Sequence, residues 1–443
     1  MDKLASHGGL ILIGDLLNSM KLHKPFNNLN IHCIDPKFSH ADILFTMTAL
    51  ISIAKPDYDA IEIFREKQDF FTKALQISGC PSSPTLRQRI DLVGNAADDT
   101  IKNASAALIR SKAPGITPLQ TTAGEFITLD IDVSPFDNSK TKKEGVSRTY
   151  KGYDGYAPIF AYLGKEGYLI NLELRQGSQH CQKNTPQFIN RTLSYARKLT
   201  DQPILMRLDS GNDSQDNFPD QEWKNVHFII KRNLRKESPM RWADMAREKG
   251  QAIINRKDKI VWVGKTETGL NGEKLPFPVA FEVIEHHVKK GQQLMFPEIK
   301  VDTYWCSISS LEALEVISLY HDHGTSEQYH SEIKSDMDLE RLPSCNFSSN
   351  SLILHLGMLS YNMLRIIGQI SLEEMEKGPF PGFRRKGVTR RRIRTVIQDL
   401  MYMAGRLIHT GRSWYVSLGR LNPFAAIYER IMNRIRCGPV MAS

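Results

Sequence analysis

Between Tyr320 and Lys334 the chain reads Tyr-His-Asp-His-Gly-Thr-Ser-Glu-Gln-Tyr-His-Ser-Glu-Ile-Lys. If this segment is helical, at 100° per residue Tyr320, His323, Glu327 and Lys334 fall at about 0°, 300°, 340° and 320°. A ring, an imidazole, a carboxylate and an ammonium group then share one narrow stripe, which is built to meet something polar. Gly324 lies inside the stretch and marks where the helix is open to a kink. Two more acidic positions belong with it, Asp130/Asp132 on an apolar strand and Asp209 at the end of another. Three carboxylates converging from two strands and a helix point to a magnesium site for phosphodiester chemistry, because Mg²⁺ takes hard oxygen ligands from few side chains plus phosphate. Two such ions about 3.5–4 Å apart activate an attacking water or 3′-hydroxyl and stabilise the leaving oxygen.

The elements that must position these groups follow from periodicity. Ile127, Leu129, Ile131 and Val133 alternate with Thr128, Asp130 and Asp132, the period of a strand. Both aspartates share a face, so alternation does not choose between them. A carboxylate there is costly unless paired, protonated or metal-bound. Asp132 is the preferred ligand because it is nearer the strand's C-terminal end, with Asp130 as the alternative. The spacing predicts neighbouring strands over 157–162 and 168–174, a helix over 185–199, a strand over 203–208 and another over 226–231. This order fits a mixed α/β sheet and matches a ribonuclease-H-like arrangement, in which carboxylates sit at adjacent strand ends. Between Asp209 and Glu327 lie 117 residues, far more than a connection needs. Their β-leaning stretches predict a β-rich inserted subdomain at about 215–305. The division expected is a helical DNA-binding region over 1–118, a catalytic domain over 119–365 and a basic helical region over 366–443.

The net charge of +9 over 443 residues favours an anionic partner. From Phe380 to Arg436 thirteen Lys/Arg face two acids, Asp399 and Glu429, so the whole positive excess is C-terminal. Arg384, Arg385, Lys386, Arg390, Arg391, Arg392 and Arg394 place seven cations within eleven residues, a density that favours contacts to a nucleic-acid backbone. The six cysteines are scattered with no C-x-x-C pair, which argues for reduced thiols in a cytosolic protein. No secretory signal is visible, and the apolar stretch 351–370 carries His355, Asn362 and Arg365, so it reads as a buried helix and not a membrane span. No phosphate-binding P-loop, H-E-x-x-H or G-x-S-x-G occurs, which leaves ATPase, zincin and esterase readings without support.

Taken together, these residues resemble the DDE transposases of bacterial insertion sequences, in the branch with a β-rich insertion before the Glu. That family's signature, Tyr-(2)-Arg-(3)-Glu-(6)-Lys, is matched by Tyr320, His323, Glu327 and Lys334, with histidine in place of arginine. The strand Leu129-Asp-Ile-Asp132-Val-Ser, the block around Tyr150 and Tyr156, Arg207-Leu-Asp-Ser-Gly211 and the later Asn350…Tyr361-Asn362 also resemble it, from about residue 10 to 420. The resemblance implies cleavage of DNA at transposon ends and transfer of the 3′-hydroxyl to target DNA, with Mg²⁺ as cofactor and Mn²⁺ as a substitute. It implies terminal inverted repeats and target DNA as partners, a homodimer on paired ends, and a bacterial cytoplasmic, nucleoid-associated location. By the same matching Asp132, Asp209 and Glu327 hold the metal, while Tyr320 and Lys334 contact DNA phosphates. His323 takes the place of the arginine in this DNA-binding set, where the phosphate contact becomes pH-sensitive, passes to another cation or is weakened. Trp305 matches the position of a tryptophan that stacks a flipped base in some members. His323 lacks a permanent charge and a guanidinium fork. The competing reading is therefore an inactive or co-opted protein that still binds transposon ends.

Overall fold

The spine of the molecule is strand β1 (Gly124–Val133). Antiparallel β2 (Ile159–Leu163) lies on one side of it, followed by β3 (Tyr168–Glu173). On the other side run β4 (Ile204–Leu208) and β5 (Val226–Arg232), both parallel to β1. The computed structural model describes residues 4–437 except 34–35, 67, 220–222, 290–291, 378–387, 411–412 and 419–421. The order β3-β2-β1-β4-β5, with β2 alone reversed, is the ribonuclease-H-like core that the strand order predicts. Helix α1 (Thr185–Arg197) makes the crossover from β3 to β4 that a parallel pairing needs.

The alternation of β1 predicts one apolar and one polar face. Instead every residue from Phe126 to Ile131 is buried, because a central strand is covered on both sides and its polar residues must find partners inside.

The insertion begins with helix α2 (Pro239–Lys249) and continues as β6 (Gln251–Asn255), β7 (Lys259–Thr268), β8 (Lys274–Lys289) and β9 (Gln292–Cys306). It is β-rich as predicted, but not a separate sheet. Strand β9 pairs antiparallel with β5, so one sheet runs β6-β7-β8-β9-β5-β4-β1-β2-β3. The chain returns to the core as α3 (Ala313–His321), a 3₁₀ turn at Asp322–Gly324, α4 (Thr325–Ser331) and a π turn at Glu332–Asp336.

Helix α5 (Phe347–Glu376) is buried on nearly every side. Among the described residues no helix is long and apolar enough to cross a membrane. Its polar residues are partnered within the protein: Asn362 accepts from the Leu169 N–H at 2.9 Å and donates to the Leu169 carbonyl at 2.7 Å, extending the outer edge of β3 as a backbone would. The N-terminal helices His40–Ser52 and Asp98–Lys112 pack on α5, as does α6 (Ala425–Cys437). The division at 365/366 therefore falls inside a helix, and the regions 1–118 and 366–443 share one apolar core from Leu10 to Ile435.

Candidate active site

Asp130 and Arg207 are register partners on β1 and β4, and both are buried. Arg207 Nε and NH2 donate to the two Asp130 oxygens at 2.6 and 2.8 Å, and NH1 donates to the Leu319 carbonyl of α3 at 2.7 Å. His323 Nδ1 completes the cluster at 2.9 Å from Asp130 Oδ1. Burial pushes the Asp130 carboxyl up, but Arg207 and His323 outweigh it and hold the group down at about 2. With both oxygens claimed by a guanidinium fork and Oδ1 shared with His323, Asp130 is a brace between sheet and helix. Among the two aspartates of β1, Asp132 is the one that reaches the open cleft.

Asp132 and Asp209 come side by side for a register reason. Leu208 pairs with Ile131, so the next residue of each strand lies at the same sheet edge. Asp132 Oδ2 lies 3.3 Å from His330 Nε2, and its Oδ1 accepts the Val133 N–H at 2.7 Å. Tyr162 on β2 stands behind His330, its hydroxyl 3.2 Å from Nδ1. A carboxylate only accepts, so Nε2 carries the proton toward Asp132, while Nδ1 is paired with the Tyr162 hydroxyl. Asp209 Oδ1 accepts from Asn212 Nδ2 at 2.7 Å. Burial pushes both carboxyls up. At Asp132 the His330 contact wins and holds the group below its ordinary value, whereas at Asp209 the charge of Asp132 adds to burial and the group is raised. Two carboxylates that repel one another at the rim of a cleft need a positive charge between them.

The opposite wall is α3–α4. The helix is interrupted at Gly324, the position open to a kink, by the 3₁₀ turn before Thr325, and is loosened by the π turn after Ser331. Its residues nonetheless face one cleft of about 830 Å³, which Asp132, Asp209, Tyr320, His323, Glu327 and Lys334 all line. What seats α4 is Gly167, at φ 71° in the β2–β3 turn, where an added Cβ would lie 2.4 Å from the Tyr329 ring. Glu327 is exposed and makes no hydrogen bond or ion pair with a described residue. Tyr320 packs its ring 4.8 Å from that of Tyr304. Lys334 donates to the Pro135 carbonyl and lies 3.4 Å from Glu340, so its ammonium is already engaged within the protein.

Burial and pairing bear on three of the expected DNA contacts. His323, expected on a phosphate, is 5% exposed and tied to Asp130; an imidazole suffices there because Arg207 supplies the permanent charge. Trp305 is 6% exposed, donates to Asp213 Oδ1 at 3.0 Å and has the Arg232 guanidinium 4.7 Å above its ring, so it anchors the turn after Asp209 and offers no free face to a base. The arginine run is drawn into ion pairs: Arg390 with Glu332 at 2.7 Å and Arg391 with Asp399 are buried by them, whereas Arg392 pairs with Asp336 at 2.7 Å and keeps a half-exposed side chain. Buried Glu332 and Asp336 demand counter-charges, and these arginines supply them. Arg384 and Arg385 lie outside the described residues. Two residues to which the sequence reading gave no role line the same cleft: His330, whose partners come from distant strands, and Tyr150, 68% exposed on the cleft rim with its hydroxyl on the Val133 carbonyl at 3.2 Å.

A strand-end pair of aspartates facing a glutamate-bearing helix across a ribonuclease-H-like sheet invites comparison with known families, and the family described as transposase DDE domain group 1 matches residues 2–439. The chain belongs to that family. No curated protein matches it closely enough to be called a relative. Among solved structures, a piggyBac transposase synaptic complex with hairpin DNA, seen by cryo-electron microscopy, is similar over 99% of this chain and 83% of that one, at 11% identity and a TM-score of 0.44.

Transposases of the DDE group use divalent metal ions, and the cleft fits one by its donor chemistry: two mutually repelling aspartates and a glutamate, all oxygen donors. Among the described residues no three His, Cys, Asp or Glu side chains close on one point as a ready cage. Asp132 and Asp209 are adjacent, and Glu327 stands apart on the helical wall.

Proposed function

We propose that this DDE-family protein is an active DNA transposase, which cleaves phosphodiesters at the ends of its element and transfers the freed 3′-hydroxyl to target DNA. The observation that carries this reading is the pairing of Asp132 and Asp209 at adjacent strand ends, with Glu327, whose side chain has no partner among the described residues, on the same cleft. These three carboxylates would hold Mg²⁺, or Mn²⁺ in its place, and the metal would supply a lowered pKa for the attacking oxygen and charge for the leaving one. His330 orients Asp132, and Asn212 orients Asp209. Tyr150 presents an exposed ring at the rim, where a base unstacked near the cut would rest. The partners would be terminal repeats and target DNA, with two copies pairing two ends, in a bacterial nucleoid.

The test is a labelled duplex bearing the element's terminal repeat, with Mg²⁺, the native protein and Glu327→Gln. Metal-dependent cleavage at the repeat boundary, lost by at least about 10³-fold in the variant while binding stays within about threefold, is the expected result. Salt-sensitive binding with no cleavage by the native protein would instead establish an inactive, end-binding protein.

A further inference from the structure

Glu327 stands on a ridge between two clefts. Gly324, Glu327 and Ser331 line both the carboxylate cleft and a second one of about 610 Å³ on the far side. The second cleft has the opposite electrostatic character. Its walls carry the cations Lys165, Arg390 and Arg392 against the carboxylates Glu327 and Glu332, an excess of one positive charge, and Glu332 is already paired with Arg390 and Arg365. Arg392 spends Nε and NH2 on Asp336 and Ser331, leaving NH1 without a hydrogen bond to a described residue on a side chain 52% exposed. Lys165, at the β2–β3 turn, lines the cleft and has no ion-pair partner among the described residues. Hydroxyls of Thr325, Ser331 and Thr389 line the same walls.

Resting on the transposase reading, we propose that this second cleft is a track for the DNA strand on one side of the scissile bond, with Lys165 and Arg392 as its phosphate contacts. A metal site needs anionic ligands where the reacting phosphate sits. The neighbouring phosphates on the same strand carry uncompensated charge, and a groove with surplus cations and hydroxyl donors suits them. A strand crossing the Glu327 ridge passes from the carboxylate cleft directly into this groove. The partner is nucleic acid and not an acidic peptide, because the groove is continuous with the cleft where the phosphodiester reacts.

The experiment uses the full chain and three duplexes: a terminal repeat with flanking DNA, one truncated at the cut on the flank side, and one truncated on the element side. Binding is followed against salt for the native protein, Lys165→Gln, Lys165→Arg and Arg392→Gln. Lys165→Gln is expected to weaken the full duplex several-fold, lower the salt slope by about 1, and lose this effect on one truncated duplex only. Lys165→Arg is expected to restore binding. Equal loss on both truncated duplexes, or no loss on any, overturns the track. The Lys165 side chain makes no hydrogen bond or ion pair with a described residue, so its variant remains decisive if Arg392→Gln disturbs Asp336. If the native protein binds none of the duplexes, the transposase reading itself fails, a separate outcome.

Discussion

His330 shows how much of the site rests on one side chain. It joins buried Tyr162 to Asp132, so Asp132 is aimed by a partner that never has to meet the substrate. His330→Ala is expected to weaken Mn²⁺ binding by about 10–100-fold in titration calorimetry, with partial recovery in His330→Gln, whose amide still donates. Unchanged binding in His330→Ala would remove the histidine from the site. A second buried pair permits a pH prediction away from the cleft. Asp98 Oδ1 lies 3.3 Å from His355 Nδ1, with Ser351, Lys102 and Asp99 around them. Burial drives the Asp98 carboxyl up to about 7, against the Ser351 hydrogen bond and the Lys102 charge, and drives the His355 imidazole down to about 3. The contact is thus between neutral groups below pH 7, not an ion pair. A carboxyl raised in the folded state stabilises fully below its unfolded value and loses that contribution as pH rises through its folded value. Asp98→Asn should therefore gain stability relative to the native protein between about pH 4 and pH 7 and hold the gain above it. Urea melts across that range would refute this if the difference stayed flat.

At the scale of elements, the Arg390–Arg394 segment, which crosses to the π turn, matters most. Glu332 is 1% exposed and is held by Arg365 and Arg390, by the Ile393 N–H at 3.2 Å and by the Tyr361 hydroxyl. Glu332→Gln strands two guanidinium groups and is expected to cost about 3–5 kcal/mol in denaturant unfolding, as removal of one partner of a buried pair does. A cost under about 1 kcal/mol would mean the arginines are solvated. This staple also explains which parts of the site were legible beforehand. The carboxylates of β1 and β4 could be found because local alternation and a strand end mark them, and the ribonuclease-H-like order because its strands are short and well separated. The arginine run could not be placed, since its partners Glu332 and Asp336 lie some 60 residues away, within a helix where they look like solvated surface. The surroundings of Trp305 could not be read for the same reason: nothing near it in sequence announces that Arg232 and Asp213 will cover it.

At the scale of the molecule, α5 argues against independent domains. Its 30 residues contact the helices of the N-terminal region, α6 and the edge strand β3, and the apolar core is continuous across all of them. Leu359 and Ile366 are fully buried, and each such side chain contributes about 1.5–3 kcal/mol. The sheet is joined across the presumed insertion boundary in the same way, through the β5–β9 pairing. Residues 119–365 expressed alone would end at Arg365 in mid-helix, with the Arg390 partner of Glu332 missing and the face of α5 that meets His40–Ser52 and Asp98–Lys112 open to water. Such a fragment is expected to give a broad, low-temperature thermal transition and to bind a hydrophobic dye, whereas the whole chain melts sharply. A fragment with a sharp transition and native near-ultraviolet dichroism would show instead that the catalytic sheet carries its own core, and that the helical body is an attachment which can move relative to the cleft.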